Sequence, residues 1–225
     1  MTFTTDAWER TAGIRAAIDT LPFLTELESG ELDRATFAEY MTQDALYLGD
    51  YARVLAGLAT RATDPAHTLF FAGSARDAIA VERELHAAHV DVHAAVESAA
   101  GTAAMSPTTR AYTSYLLGLL AGPYEVAVAG VLPCYWIYQD VGARLLQRVG
   151  AAVRDVARHP YGDWIAQYGD EEFAASVEQA KAIADECART ASPAVRAAMD
   201  LAYDTASRYE WMFWDAAHRR EVWPI

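Results

Sequence analysis

The sequence is poor in basic residues and in cysteine. Only 18 lysines and arginines stand against 31 aspartates and glutamates, so the 225-residue chain has a net charge of -13. No basic block offsets this charge, which excludes nucleic acids and anionic membrane surfaces as expected partners. The two cysteines, Cys134 and Cys187, are far apart, and no signal-peptide pattern is present. Free thiols and a cytoplasmic location are therefore expected.

Uninterrupted apolar stretches long enough to span a membrane are also missing. A spanning helix needs about 20 apolar residues. The charge-free stretches 111–124 and 126–138 are separated by Glu125, and Gly122-Pro123 and Pro133 interrupt them further. Buried helices are predicted here, with no transmembrane segment.

What the sequence does contain is helical periodicity over most of its length. Helix starts are indicated at Asp6, Asp33, Ser106 and Ser192, the last two followed by proline. The predicted helices cover about residues 6–20, 34–62, 65–99, 107–121, 124–149, 161–168, 170–190 and 193–219. The connections are short, and neither strand alternation nor a linker competes. The pattern predicts one all-α domain over residues 1–225, a helical bundle with 53% hydrophobic residues for its core.

Three reactive side chains fall on faces that are predicted to be buried. Asp44 lies on the apolar stripe of the second helix, Cys134 on that of the fifth and Glu210 on that of the last. Each has a structural explanation, since cysteine packs as a small hydrophobe and a buried acid can bond to tyrosine hydroxyls. Burying two carboxylates is nevertheless costly, which favours a functional cavity. Periodicity alone leaves open whether the three meet.

The third predicted helix carries residues that could bind a metal. Four possible ligands share one face there: Glu82, His86, His89 and His93. The surrounding residues are polar and rich in alanine, so a solvent-exposed face is the favoured interpretation and the function of this face stays open.

Iron sites are also disfavoured. A di-iron bundle needs Glu-x-x-His on two helices, and only 64–67 and 215–218 have this spacing, with aspartate in place of glutamate. The first helix has no histidine that could bind haem. We therefore predict no metal and no cofactor.

Five segments together resemble the TenA/thiaminase II family, in order and in spacing. They are YMTQDALYLGDYARVL (40–55), AYTSYLLGLL (111–120), LPCYWIYQDVG (132–142), WIAQYGDEEF (164–173) and YEWMFWDAAHRREVW (209–223). The resemblance covers essentially the whole chain, and its most specific parts are the Cys-Tyr-Trp and Tyr-Glu-x-x-Phe-Trp segments. It implies a haem-oxygenase-like fold without haem, a homotetramer, and action on thiamin or its pyrimidine breakdown products.

The resemblance also assigns roles to residues. Cys134 matches the family's nucleophile, Glu210 its acid/base, and Asp44 the carboxylate that binds the amino group and ring nitrogen of the pyrimidine. The matching residues around the ring and thiol are Tyr47, Tyr112, Tyr138, Tyr168 and Phe213. The chain departs from the family pattern at Leu46, at Gly49-Asp50 and in 148–160, which leaves its substrate preference open.

The implied reaction is hydrolysis of an aminomethyl pyrimidine, or of thiamin, to 4-amino-5-hydroxymethyl-2-methylpyrimidine. A thiol that adds to the ring requires a proton at the opposite ring nitrogen. We therefore expect a raised pKa for Glu210 and a Cys134 that is reachable as thiolate. Two alternatives remain: a metal-dependent oxygenase on the same fold, and a pyrimidine-binding regulator without catalysis. The missing inward histidines and the intact catalytic residues favour the hydrolase.

Overall fold

The computed structural model describes residues 1–88, 104–152 and 156–225, and leaves out the side chains of residues 81–88. These residues form α-helices and one short 3₁₀ turn, Val156–Arg158, and no β-strand occurs among them. The helices are α1 (Phe3–Arg10), α2 (Ala12–Ile18), α3 (Pro22–Ser29), α4 (Arg34–Arg61), α5 (Pro65–Ala88), α6 (Pro107–Leu119), α7 (Tyr124–Ala152), α8 (Gly162–Tyr168), α9 (Glu171–Thr190) and α10 (Pro193–His218). The predicted all-α class is confirmed.

Three of the four predicted helix starts are confirmed by their capping hydrogen bonds. Asp33 begins α4, Ser106 begins α6 and Ser192 begins α10. Each side chain accepts a hydrogen bond from the backbone N–H three residues later, at 3.1 to 3.3 Å. Such a cap is worth about 1 kcal/mol, so these residues fix where the long helices begin.

The predicted start at Asp6 is wrong, and the single helix predicted over 6–20 is two helices. Thr2 caps α1 by accepting a hydrogen bond from the Thr5 N–H at 3.2 Å. Thr11 separates α1 from α2, and its hydroxyl donates to the Ala7 carbonyl at 2.8 Å. Because a threonine bonded to the preceding turn competes with helix propagation, the break lies at this residue.

Helix α3 was not predicted. Pro22 occupies its first turn, Gly30 follows its end with a φ of 77°, and Phe23, Leu24 and Leu27 are buried. Proline at the start and a left-handed glycine after the end are the usual marks of a short helix. At 8 residues the helix is too short for a clear periodicity.

Helix α7 packs most extensively against α10 and then against α9, while α4 packs most extensively against α5 and also contacts α6 and α10. The buried hydrophobic side chains form a core cluster. Its largest fully buried members include Tyr40, Trp164, Tyr203 and Trp214. The long helices α4, α7 and α10, which carry Asp44, Cys134 and Glu210, therefore meet across this core.

The described residues bear on the expected absence of a membrane-spanning helix and on the expected free thiols. Among them, no helix is both long and apolar enough to cross a membrane. Cys134 and Cys187 are both free thiols, as predicted. The face formed by Glu82, His86, His89 and His93 lies outside the described side chains, so its function stays open.

Candidate active site

A cavity opens between α4, α5, α7, α8 and α9, with a volume of about 700 Å³ counting its mouth. Its lining comprises Asp44, Tyr47, Leu48, Tyr51, Leu55, Ser74, Asp77, Ala78, Cys134, Tyr135, Tyr138, Tyr168, Phe173 and Ser176. The predicted residues Asp44, Tyr47, Cys134, Tyr138 and Tyr168 are thus brought together. The remaining predicted residues, Tyr112, Glu210 and Phe213, lie behind this lining and are buried.

Helix geometry explains how the lining is presented. Asp44, Tyr47 and Tyr51 recur three and four residues apart on α4, so they share one face, and Cys134 and Tyr138 do so on α7. The Tyr51 hydroxyl donates to the Val131 carbonyl at 2.9 Å, which fixes its ring against the helix that carries the thiol. The residue Asp44 is only 4% exposed. The prediction that Asp44 points inward is confirmed.

Tyr168 reaches the cavity because α7 and α8 approach each other closely at Gly142. A side-chain carbon added to Gly142 would lie 2.5 Å from the backbone carbonyl carbon of Tyr168 and 2.5 Å from its Cβ. Only glycine allows this approach. The ring centroids of Tyr138 and Tyr168 are then 5.0 Å apart, so these two side chains form one wall of the cavity.

The wall is held in place by a chain of buried hydrogen bonds. The indole N–H of Trp164 donates to the Tyr40 hydroxyl at 3.3 Å, and that hydroxyl donates to the Tyr138 hydroxyl at 3.4 Å. Trp214 packs on the other side of Tyr138, with ring centroids 4.7 Å apart. These contacts restrict the rotamer of Tyr138 before any ligand arrives.

Tyr47 is a further aromatic residue of the cavity lining. Its ring lies 5.0 Å from that of Tyr112 and 5.6 Å from that of Phe213. Phe213 was predicted to line the pocket, but in the structure it supports Tyr47 from behind. The predicted position is therefore adjacent to the cavity rather than on its surface.

Glu210 and Tyr112 form a buried pair beside Cys134 and Tyr47. The Tyr112 hydroxyl donates to Oε1 of Glu210 at 2.5 Å, and the residue Glu210 is 1% exposed. Burial, together with the nearby charge of Asp44, raises the pKa of Glu210 to about 8, although the hydrogen bond from Tyr112 acts in the opposite direction. The predicted rise in this pKa is confirmed.

The thiol pKa of Cys134 does not favour the thiolate that the sequence analysis expects to be reachable. Burial raises the pKa of the thiol well above its ordinary value, and the charges of Glu210 and Asp44 raise it further. The hydroxyls of Tyr47 and Tyr51 lower it, but burial dominates. The thiol therefore keeps its proton, because none of the described lining residues is a lysine or arginine that could stabilise a thiolate.

Two buried hydroxyls at the cavity have only weak partners. Those of Tyr47 and Tyr135 make no hydrogen bond of ordinary geometry among the described residues, although Cys134 and Tyr112 lie near Tyr47, and Ser74 lies near Tyr135. A ligand with complementary polar atoms would give these hydroxyls better partners on binding.

Several lining residues were not predicted. Ser74, Asp77 and Ala78 belong to α5, and Ser176 belongs to α9. Small and charged residues on a partly exposed helix face look like an ordinary solvent-facing surface, so no sequence signal set them apart. By contrast, Tyr51 and Leu55 were already on the apolar stripe of the second predicted helix.

Comparison with known sequences identifies relatives over almost the whole chain. A family model described as the TENA/THI-4/PQQC family matches residues 11–220. The thiamine biosynthesis multifunctional protein ThiED of Corynebacterium efficiens is 36% identical over 97% of this chain, but the match covers only 28% of that protein. The chain thus spans less than a third of its length. A protein of Halalkalibacterium halodurans named aminopyrimidine aminohydrolase is 33% identical, and the match covers 99% of this chain and 98% of that protein.

Comparison with solved structures supports the fold. A TenA homologue protein from P. horikoshii OT3 superposes with a TM-score of 0.82 at 24% identity, over 97% of this chain and 99% of that one. A domain from Shewanella denitrificans described as having a heme oxygenase-like fold gives a TM-score of 0.72 at 18% identity, over 96% of this chain and 92% of that one. The predicted haem-oxygenase-like fold is confirmed. The matching family model and the relative that is 33% identical over nearly its full length establish that the chain belongs to the TENA/THI-4/PQQC family.

Proposed function

We propose that this chain is an aminopyrimidine aminohydrolase, a thiaminase II, that releases 4-amino-5-hydroxymethyl-2-methylpyrimidine for thiamin salvage. The observation that carries the proposal is the position of the Cys134 thiol. It lines one aromatic cavity together with Asp44 and is close enough to Glu210 for the charge of that carboxylate to raise the thiol pKa. The Halalkalibacterium relative with the corresponding name matches over nearly its full length. This full-length match supports transferring its reaction to the present chain.

Substrate recognition follows from the shape and polarity of the cavity. An aminopyrimidine ring is flat, so it fits between the aromatic wall of Tyr138 and Tyr168 and the ring of Tyr47. Its amino group and neighbouring ring nitrogen form a donor and acceptor edge that the carboxyl of Asp44 can bind. The role assigned to Asp44 is therefore to orient the ring in the cavity.

The first chemical step joins Cys134 to the ring. Glu210 donates its proton to a ring nitrogen, the sulfur forms a bond to a ring carbon, and the thiol proton passes to the Glu210 carboxylate. The proton balance is closed, because one proton leaves sulfur and one reaches nitrogen. A neutral thiol is therefore a competent starting state, provided that Glu210 begins protonated. Its pKa of about 8 allows this at neutral pH.

The later steps exchange the leaving group for water. The electron-rich ring adduct expels the substituent on the exocyclic methylene, and the electron pair of the broken C–N bond goes to the leaving nitrogen. Water then adds to the methylene carbon and releases a proton, which the departing amine binds. Finally the S–C bond breaks, the ring nitrogen returns its proton through Glu210 to the sulfur, and the hydroxymethyl pyrimidine is free.

The leaving group is assigned to the side of the cavity formed by Ser74, Asp77 and Ser176. Asp77 places a carboxylate on this side of the described lining, and Arg76, which pairs with Asp77 at 2.7 Å, is not part of that lining. An ammonium or thiazolium substituent suits this field.

Asp77→Asn should therefore raise KM for the aminomethyl pyrimidine by roughly twofold to fivefold, the effect of one exposed charge pair, with little change in kcat. Steady-state kinetics at constant ionic strength would measure this. An unchanged KM would remove Asp77 from substrate recognition.

The proposal is tested by comparing hydrolysis of thiamin and of 4-amino-5-aminomethyl-2-methylpyrimidine, as kcat/KM ratios. Cys134→Ser should abolish turnover, and Glu210→Gln should lower it by about 10²–10⁴-fold. Cys187→Ser is the matched control, since this thiol lies outside the cavity lining, and it should keep full activity. If neither substrate reacts, or if Cys134→Ser retains full turnover, the assignment fails.

A further inference from the structure

A second group of possible metal ligands lies outside the active-site lining. Asp64 precedes the first residue of α5, His67 lies in the first turn of that helix, and Glu186 lies in α9. Each offers a ligand atom within 4.8 Å of the other two. The sequence indicated only the spacing of Asp64 and His67, and folding adds the third ligand. These residues share a surface cavity with Tyr124, Glu125 and Cys187, none of which lines the active-site cavity.

The histidine is held in an orientation that suits a metal. His67 is 8% exposed, its Nδ1 faces the Tyr124 hydroxyl at 3.4 Å, and its Nε2 faces Oε2 of Glu186 at 3.5 Å. A metal-bound histidine commonly engages an oxygen through its other ring nitrogen, which is the relation of His67 to Tyr124.

The distance between His67 and Glu186 also favours a bridging ion. It exceeds the roughly 2.7–3.2 Å of an ordinary N–H···O hydrogen bond. Two ligand atoms that are each about 2.1 Å from one tetrahedral Zn²⁺ lie roughly 3.4 Å apart, close to the observed 3.5 Å.

Asp64 is oriented by the helix that it precedes. Its Oδ1 accepts a hydrogen bond from the Ala66 N–H at 2.7 Å, and a carboxylate has a second oxygen for a cation. Besides His67, Glu186 has Arg189 as a partner at the edge of ion-pair range, 3.9 Å from its Oε1. Both carboxylates can therefore turn towards a shared ion without breaking a strong contact.

The local electrostatics favour a cation. Asp64, Glu125 and Glu186 surround the cavity, while Arg61 and Arg189 are the nearby basic residues. A divalent ion would neutralise much of this negative potential.

We propose that Asp64, His67 and Glu186 form a binding site for a divalent transition metal, with Zn²⁺ as the ion that best suits one imidazole and two carboxylates. Water completes the coordination. The ion connects the start of α5 to α9. Since α5 also carries Ser74 and Asp77, the ion stabilises the helix that lines the leaving-group side of the active-site cavity.

The test uses protein stripped with a chelator and dialysed against micromolar Zn²⁺ alone, followed by elemental analysis and thermal unfolding. A triple variant, in which His86, His89 and His93 are changed to glutamine to remove competing ligands, serves as the parent protein for all measurements. This parent should bind one Zn²⁺ per chain and unfold at a higher temperature when Zn²⁺ is bound. His67→Gln and Glu186→Gln should each weaken binding by at least roughly tenfold.

Two variants separate metal binding from folding. Asp64→Asn keeps a good helix cap but loses the charge, so it should weaken Zn²⁺ binding while the unloaded protein stays folded. His218→Gln is the matched control, because His218 lies 3.1 Å from Glu26 and forms no three-ligand group among the described residues. It should bind Zn²⁺ like the parent. The proposal is overturned if the parent binds no Zn²⁺, or if His67→Gln and His218→Gln bind it equally well.

Discussion

The Glu210 side chain has a proposed catalytic role, and its burial lowers the stability of the fold at alkaline pH. Its carboxyl is buried, and the described cavity lining beside it contributes two carboxylates and no basic side chain. The folded chain therefore holds the carboxyl proton up to a pH of about 8, whereas an unfolded chain releases it near 4.5. This difference makes the folding equilibrium depend on pH through one side chain.

Glu210→Gln should make the protein more stable at alkaline pH. Between pH 4.5 and about 8 the unfolded wild-type chain ionises Glu210 and the folded chain does not, so the wild-type free energy of unfolding falls across this window. The full loss is at most about 5 kcal/mol. Glutamine does not titrate and still accepts the Tyr112 hydrogen bond. Urea unfolding at pH 5 and pH 9 should show a gain for the variant at pH 9 and little gain at pH 5.

An equal gain at both pH values would indicate that packing, rather than the charge, causes the effect. A loss of stability at pH 9 would contradict the raised pKa of Glu210.

Tyr112→Phe should shift the alkaline limb of the pH–activity profile upwards. The Tyr112 hydroxyl lowers the pKa of Glu210 by donating to its carboxylate, so its removal raises that pKa above about 8. Since protonated Glu210 begins the proposed reaction, kcat/KM of the variant should persist to higher pH than in the wild type. The profile of kcat/KM against pH for the aminomethyl substrate measures this. A limb that moves to lower pH would contradict the assigned direction.

The side chains of the candidate site were only partly predictable. The inward direction of Asp44, Cys134 and Glu210 followed from helical periodicity on each separate helix. The protonated state of Cys134 did not, because its thiol pKa is raised mainly by burial and then by carboxylates that come from α10 and α4. Asp77 was missed because its helix face is partly exposed.

Among the helices, the contact of α7 with α8 has the clearest functional consequence. Gly142 leaves room for the backbone of Tyr168, which ends α8 and lines the cavity. The shape of the aromatic wall therefore depends on a position that carries no side chain.

Gly142→Ala should destabilise the fold and weaken substrate binding. The added methyl would overlap the backbone of Tyr168, and such overpacking typically costs about 1–3 kcal/mol. Because Tyr168 would be displaced, KM for the aminomethyl substrate should also rise. Chemical denaturation and steady-state kinetics measure the two effects.

Gly118→Ala is the matched control within another helix, because an added methyl at Gly118 has no neighbour within 4 Å. Better helix propensity should stabilise that variant by about 0.5–1 kcal/mol. If Gly142→Ala were equally stable, close packing would not be what holds Tyr168.

The helices themselves were predictable where a cap coincided with long periodicity. Asp33, Ser106 and Ser192 gave correct starts for α4, α6 and α10. The break at Thr11 was not predictable, because an apolar pattern continues through it and only a side-chain bond to the preceding turn ends α1. Short α3 was missed for lack of periodic turns.

For the chain as a whole, we propose that residues 1–225 form one domain and that four copies assemble in the cytoplasm. The family resemblance supports the tetramer, and the short connections predicted from the sequence support the single domain. Size-exclusion chromatography with light scattering should give a mass four times that of the chain. A monomeric mass at micromolar concentration would contradict the tetramer.

The negative lining of the cavity has a consequence for turnover. In the proposed reaction the incoming molecule carries a cation on its substituent, whereas the alcohol that leaves is uncharged at that position. Asp77, which is assigned to the leaving-group side, therefore attracts the substrate but not the product. The alcohol should therefore bind more weakly than the substrate, and accumulating product should inhibit the reaction only weakly.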